Sequence, residues 1–412
     1  MSNINCQKRN NDKWHYYYLP YKIGQANLGV LVPLFILDLG GSANEIGIIT
    51  MLFSLFTLIS TVIWGRLSDE TGKRKQYILI GFIGLSICFM LLAFSFNVMY
   101  VAIIYSVMAV LISAELPITP VYILKNLGDK SWDDTFGRFN SICSWGLTLG
   151  LVIGALALAV FDIYQTSLII FILSSASIFL VLFLMKDTSY KFKRGSTGLF
   201  PTHIIERKRF IPNFVLHLPH FSRTKNSKTM YFFLSIVFLF IGSNFVFIPI
   251  IPFLRQMGVG DSMIFVTNIM NFVASSLIYS RISKDVKKNG CLKVLRKGLV
   301  LRMAIVGSMM AGLFYMENYS FFVVLLCYTL IGASWPHIYT SAITFVSQSS
   351  ESKGSGSIMG KYNAFYTLGL MIGSLASGYL FDISSILYCL LLSIVFYALA
   401  YLIVYRYVGT HD

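Results

Sequence analysis

Long apolar segments, each of about 20 residues or more, constrain the fold of this 412-residue sequence more than any other feature. A helix rises about 1.5 Å per residue, so about 20 apolar residues cross a hydrocarbon core of about 30 Å. Both faces of these segments are apolar, which excludes the alternating pattern of a membrane β-barrel. The sequence therefore predicts an all-α integral membrane protein. We predict twelve spans, at 16–39, 45–67, 77–96, 99–124, 137–161, 165–185, 230–254, 263–282, 292–315, 321–346, 358–381 and 384–405.

The distribution of charge predicts which side of the membrane each connection faces. Only 12% of the residues are charged and the mean hydropathy is +0.70, which excludes an ordinary soluble domain. Nearly all of the 33 Lys and Arg residues fall on one side, and Arg255 is the one basic residue on the other. Because basic loops stay in the cytoplasm, we expect a multi-pass plasma-membrane protein with both termini cytoplasmic. The net charge of +15 then reflects insertion and anionic membrane lipids, and no nucleic-acid partner is expected.

An internal repeat divides the sequence into two halves. The letters GRFN at 137–140 return as GKYN at 360–363, and each group opens a span that closes with FDI, at 161–163 and 381–383. An even number of spans in each half keeps both repeats in the same membrane orientation. We predict two pseudo-symmetric six-helix bundles. Their bounds are 16–185 and 230–405, with a cytoplasmic linker at 186–229 and cytoplasmic tails at 1–15 and 406–412.

A charged loop motif follows the second predicted span. Residues 65–75 read GRLSDETGKRK, and a weaker copy, RISKDVKKNG, stands at 281–290. The spacing resembles the loop signature of the major facilitator superfamily. The resemblance implies transporters of twelve helices, in which this loop acts as a latch between the halves and stabilises one access state. We name the matching residues, with their expected partners, the loop-latch motif: Gly65, Arg66, Asp69, Gly72, Lys73, Arg74, Arg138 and Asp285.

Glycines at helical spacing mark the fifth span and its repeat. Gly146, Gly150 and Gly154 resemble a glycine-rich signature of proton-driven drug exporters in the same superfamily, although Leu151 stands where that signature has proline. Gly369 and Gly373 stand at the matching places of the eleventh span. Small residues are also common wherever membrane helices pack closely. The pattern therefore leaves two interpretations open, a drug:proton antiporter-like branch and plain helix packing.

Glu115 is the one acidic residue predicted well inside a span. Ionisable residues in hydrocarbon are costly and are functional candidates for that reason. Pro117 follows two residues later and should kink the helix. Lys22, at a similar depth in the first span, is the expected partner. Glu115 is then either a proton carrier or one half of a structural Glu–Lys pair.

Other polar residues fall within spans. His337, beside Pro336, either titrates and contacts substrate or is a histidine satisfied by nearby backbone. The family arrangement implies that four amides line a substrate cavity; these are Gln25, Asn27, Asn244 and Asn271. Arg302 lies near the cytoplasmic end of a helix that is peripheral in the family. We expect its side chain to extend to the headgroups.

These observations favour a transporter over an enzyme. The sequence carries no HExxH, GxSxG or phosphate-loop pattern, and its six cysteines have no metal spacing, so we expect no catalytic residue, metal or cofactor. We predict a monomeric secondary active transporter that works by alternating access and exports a small molecule in exchange for protons. The alternatives are uptake of a sugar or organic acid, and a transporter-like membrane sensor.

Overall fold

The computed structural model describes residues 14–119, 122, 132–185, 227–350 and 355–408, and helices make up nearly all of this part. Twelve long α-helices lie within it. They are α1 Leu19–Asp38, α2 Ala43–Thr71, α3 Arg74–Leu92, α4 Val98–Ile112, α5 Trp132–Leu158, α6 Ile163–Leu184, α7 Ser227–Gln256, α8 Asp261–Asn289, α9 Cys291–Tyr315, α10 Ser320–Ser350, α11 Ser355–Ile383 and α12 Ile386–Ile403. Most of the linker predicted at 186–229, and most of both predicted tails, lie outside the described residues.

Ten helices in the described part of the chain are long and apolar enough to cross a membrane. The other two are α1, which carries Lys22, and α4, which has 15 residues. The span predicted at 99–124 is not one continuous helix, because α4 ends at Ile112 and residues 113–117 form a turn. Pro117 lacks the N–H that a continuous helix needs. Glu115 accordingly donates its N–H to Ile112 O, three residues back, at 3.2 Å.

The helices pack as two similar groups. In the first, α1 contacts α5 and α6, and α3 contacts α4 and α6; in the second, α7 contacts α11 and α12, and α9 contacts α10 and α12. Two larger contacts join the groups, α2 with α11 and α5 with α8. We call the side where α1 begins and α12 ends the terminal face, and the side with connections 39–42, 257–260 and 384–385 the distal face.

Glycines set the close contact between α1 and α5 and its counterpart between α7 and α11. A Cβ added at Gly150 would meet the backbone of Ile23 on α1, and one at Gly373 would meet the backbone of Ile241 on α7. Side chains here would separate the helices, since only small residues permit such approach. The other predicted packing glycines have equally close neighbours: Gly146 meets Lys22 and Leu19, Gly154 meets Asn27 and Phe265, and Gly369 meets Val237 and Phe240.

Polar contacts close the distal face between the two groups of helices. The carboxylate of Asp382, at the end of α11, accepts the N–H groups of Ala43 at 3.1 Å and Asn44 at 2.8 Å. These N–H groups belong to the first turn of α2, where a negative charge is favourable. Arg255, at the end of α7, forms an ion pair with Asp38 at 3.2 Å. The helix ends of the two groups are therefore joined at this face.

Backbone contact between α2 and α11 supports the same closure. A Cβ added at Gly47 would meet the Ser374 carbonyl oxygen, and one added at Gly378 would meet the Ala43 carbonyl oxygen. Neither glycine therefore leaves room for a side chain. The tightest contact between the two groups thus lies next to the Asp382 hydrogen bonds.

Candidate functional site

A cavity of about 450 Å³ lies between the two groups of helices. Its volume falls in the range that holds a small molecule, and its wall is mostly apolar and aromatic with a few polar groups, as is usual for such sites. The first group contributes Leu28, Gly29, Val32, Pro33, Ile36, Ile46, Thr50 and Tyr105 to the lining. The second contributes Phe247, Ile248, Ile251, Asn268, Asn271, Phe272, Ser275, Arg302, Tyr328, Gly332 and Trp335.

Hydrogen bonds between α8 and α10 fix the polar part of this wall. Asn271 donates from Nδ2 to the carbonyl oxygen of Tyr328 at 2.7 Å, and the Tyr328 hydroxyl donates to Asn268 Oδ1 at 3.2 Å. Gly332 permits the contact, because a Cβ there would meet the Asn271 backbone. The two amides are therefore held in place before any substrate arrives.

Of the four amides predicted to line a cavity, Asn271 does so and the other three lie elsewhere. Asn27 donates to the Gly150 carbonyl at 3.2 Å, and Asn244 donates to the Leu370 carbonyl at 2.7 Å. These two amides thus join α1 to α5 and α7 to α11. Sequence reasoning missed Asn268, although its position three residues before Asn271 places both on one helix face.

Lys22 of α1 and Glu115, in the turn after α4, form a buried ion pair. Lys22 Nζ lies 3.1 Å from Glu115 Oε1, and the two side chains expose 13% and 3% of their surface. Lys22 also donates to Gln25 Oε1 at 2.7 Å. The structure thus brings together three of the predicted site residues. The small exposed fraction of Lys22 gives water some access to the pair.

The second carboxylate oxygen of Glu115 is also bound. Thr119 Oγ1 donates to Glu115 Oε2 at 2.7 Å, and the Tyr18 hydroxyl lies 2.9 Å from Thr119 Oγ1. The carboxylate therefore has a charged partner on one oxygen and a neutral donor on the other.

Two glycines and the helix break after α4 position the Lys22–Glu115 pair. A Cβ at Gly81 of α3 would lie 3.2 Å from Glu115 Cβ, and one at Gly146 of α5 would lie 2.8 Å from Lys22 Cβ. The helix break at Glu115 leaves irregular backbone within a predicted span. Such backbone is tolerated in a membrane only where protein buries it or water reaches it.

His337 occupies the matching place in the second half. A Cβ at Gly298 of α9 would lie 2.7 Å from His337 Cβ, just as Gly81 of α3 faces Glu115. His337 exposes 7% of its surface, and its Nδ1 has no hydrogen-bond partner among the described residues. The contact between Gly81 and Glu115 therefore has a counterpart in the second half, between Gly298 and His337.

Arg302 is fully buried, so the prediction that it extends to the headgroups is wrong. Its guanidinium donates to Ser334 Oγ at 3.0 Å and to the Ile331 carbonyl at 3.1 Å. These acceptors on α10 give the charged group polar contacts inside the protein, which removes the need to reach the headgroups. Arg302 also lies at the middle of α9, which runs from Cys291 to Tyr315, and not near its cytoplasmic end as predicted.

The loop-latch motif begins at the end of α2. A Cβ added at Gly65 would lie 3.8 Å from Pro117 Cβ, which is an ordinary van der Waals contact. Gly72 ends α2 with φ +68°, a left-handed conformation that glycine adopts without strain. Arg66 and Lys73 are exposed, and Arg74 is buried at the start of α3.

The charged partners of this motif are described only in part. Asp285 Oδ2 lies 3.8 Å from Lys297 Nζ, a pair within the second half. The side chains of Asp69 and Arg138 lie outside the described part, so their predicted contact stays a prediction. Within the described residues, no group of three His, Cys, Asp or Glu side chains could hold a metal ion.

Comparisons with known proteins agree with this architecture. The model of the MFS_1 like family matches residues 17–391. The crystal structure of the nucleoside transporter NupG superposes with a TM-score of 0.72 at 13% identity, covering 98% of this chain and all of that one. The crystal structure of a bacterial homologue of the iron transporter ferroportin, in an inward-facing state, superposes with a TM-score of 0.67 at 13% identity. The match covers 97% of this chain and 99% of that one.

A third solved structure has the same fold. A bacterial homologue of the human lysosomal transporter Spinster, inward-facing and unoccupied, gives a TM-score of 0.66 at 14% identity, with 97% of each chain covered. At such identities the likeness shows the fold alone. No curated protein matches the chain in sequence.

Proposed function

Because the chain belongs to the MFS_1 like family of membrane transporters, we propose that it moves a small molecule through its central cavity by alternating access, coupled to protons. It is a transporter and not an enzyme. The observation that carries the proposal is the cavity itself, since both groups of helices contribute to its wall. A relative movement of the groups would then expose the cavity to one side at a time.

The closed distal face supports a cycle of this kind. Asp382 and Arg255 join the two groups there, and the α2–α11 backbone contact lies beside them. If the basic loops mark the cytoplasmic side, the distal face is the outside, and this conformation is the one closed to the outside. Transport then requires these contacts to break.

The Lys22–Glu115 pair is the proposed site of proton coupling. When Glu115 takes up a proton, Lys22 loses its counter-charge inside the protein, and a buried unpaired charge is costly. The arrangement of α1 and α4 therefore depends on whether Glu115 carries a proton. A change in that arrangement could link proton uptake to opening of the cavity.

Export of a small hydrophobic or amphipathic molecule is the proposed direction. The support is the resemblance of Gly146, Gly150 and Gly154 to the signature of proton-driven exporters. These glycines also pack α5 closely against α1. Uptake of a sugar or organic acid remains the alternative direction, and sensing without transport is the alternative function.

Proteoliposomes with an imposed pH gradient test the proposal. A panel of sugars, organic acids and cationic dyes is offered, and internal pH and substrate are followed together. We expect one class to move with protons in the wild type, whereas Glu115→Gln should bind that substrate but lose proton-driven movement, because the amide carries no titratable charge. Glu70→Gln, at an exposed carboxylate, is the matched control and should behave as wild type.

The outcomes separate the candidate functions. Full pH-driven transport by Glu115→Gln would leave that residue only a structural role. Substrate binding with no movement in the wild type would favour a sensor. The sign of the proton flux relative to the substrate flux distinguishes export from uptake.

A further inference from the structure

The central cavity has one charged residue in its lining, Arg302. Every other lining side chain is apolar, aromatic or neutral and polar. Within the described part of the chain, the ion pairs are Lys22–Glu115, Arg255–Asp38, Arg255–Asp261 and Lys297–Asp285, and none involves Arg302. One wall of the cavity therefore carries a positive charge that no described carboxylate balances.

The hydrogen bonds of Arg302 are all to neutral groups. Besides Ser334 and Ile331, it donates from Nη1 to Ser243 Oγ at 3.4 Å, a long bond. A guanidinium has five N–H donors, so these three bonds leave two to spare. A charged group buried away from water usually has a charged partner. Arg302 has the unused donors and the charge to bind one.

Aromatic rings surround the guanidinium and separate it from the open cavity. The ring centroids of Trp335, Phe247 and Tyr397 lie 5.7, 6.0 and 5.8 Å from its central carbon. Trp335 and Phe247 also line the cavity, while Arg302 exposes none of its surface in this conformation. The positive charge of Arg302 therefore attracts an anion in the cavity across these rings. Direct contact between the anion and the guanidinium requires the ring of Trp335 or Phe247 to move.

Resting on the transport function above, we propose that the cavity binds a small organic anion with an apolar body, and that Arg302 holds its anionic group. Attraction between opposite charges is strong where water is excluded. Cationic ligands meet repulsion from the same charge. The apolar body is accommodated by the aromatic and aliphatic wall, including Phe272 and Ile248.

A probe series of one shape and three charges tests this. Binding of 2-naphthylacetate, its neutral amide 2-naphthylacetamide and the cationic 2-naphthylethylamine is measured by calorimetry on the purified full chain, without a membrane gradient. We expect the anion to bind about tenfold more tightly than the amide, and the cation most weakly. Arg302→Gln should reduce the anion–amide difference to less than about twofold. Arg302→Lys, which keeps the charge but not the planar group, should retain part of it.

Matched variants keep the result interpretable. Arg296→Gln removes a positive charge from the same helix outside the cavity lining and should keep the full preference. The assay measures binding without a pH gradient or transport, so failure of proton coupling and failure of this inference are separate results. Equal binding of anion and amide to the wild type, or no anion binding at about 10 mM, would overturn the inference. So would a preserved preference in folded Arg302→Gln, which would leave Arg302 a structural role between α9 and α10.

Discussion

Lys22 and Glu115 were expected to be neighbours because they lie at similar depths in two spans, and their charged atoms are 3.1 Å apart. Depth along a helix can be counted from sequence, since each residue adds a fixed rise. The helix break beside Pro117 also follows from chemistry that the sequence shows.

A double-mutant cycle measures how strongly this pair holds the protein together. Lys22→Met should lower the thermal unfolding temperature more than the double variant Lys22→Met with Glu115→Gln, because the single variant leaves a buried carboxylate without its cation. We expect an interaction energy of about 1–3 kcal/mol from the cycle. Unfolding is followed in one detergent for all four proteins. Effects that simply add would mean that the two charges are independent.

Arg302 is a residue whose surroundings could not be predicted from the sequence. We predicted it near the cytoplasmic end of α9, but it lies at the middle of this helix, and its surroundings depend on which side of the helix meets α7, α10 and α12. Ser243, Ser334 and Tyr397 come from those three helices, far apart in sequence. The residue pattern of one helix does not show which residues of other helices will contact it.

At the scale of helices, two matching aspartates have different partners. Asp162 follows α5 and caps the next helix of its own half, accepting the Gln165 N–H at 2.7 Å. Asp382 lies in the last turn of α11 and instead accepts N–H groups of α2 in the other half. The repeated letters FDI predicted the symmetry of the two ends but not this difference. Of these two aspartates, only Asp382 joins one half to the other.

Replacing Asp382 should therefore weaken the distal closure, whereas Asp162 serves as its control. Asp382→Ala removes both acceptors from the first turn of α2, and we expect a shift of about 1–3 kcal/mol toward conformations open at this face. Spin labels at Phe96 and Tyr319, which are 72% and 59% exposed, report the distance across the face. Asp162→Ala should leave that distance distribution unchanged. If both variants gave the same distance distribution, Asp382 would have no special role in closing the distal face.

For the whole molecule, the predicted all-α membrane fold and the family resemblance are confirmed. The length of the apolar segments and the internal repeat were enough to predict this fold, because a bilayer permits few architectures. The cavity was less predictable. Its wall combines side chains from seven helices, and Thr50, Tyr105 and Trp335 look like ordinary span residues until the helices are packed.

The orientation of the molecule in the membrane remains a prediction, and labelling tests it. In a Cys-free background, cysteines at Phe96 and Tyr319 on the distal face should react with an impermeant reagent added outside intact cells. Cysteines at the exposed Lys228 and Lys288, on the terminal side, should react only after permeabilisation. The basis is the excess of basic residues on that side. The opposite pattern would reverse the assignment of both termini.

Two of the ion pairs between helices, Arg255–Asp38 and Lys22–Glu115, differ in how strongly dissolved salt weakens them. Arg255 and Asp38 expose 29% and 35% of their side chains at the distal face, so dissolved ions can screen them. Lys22 and Glu115 are shielded from bulk electrolyte by the surrounding helices. Salt in the medium that bathes the distal face therefore weakens one restraint and leaves the other nearly intact. The balance between conformations is in this sense set partly by the ionic strength on one side of the membrane.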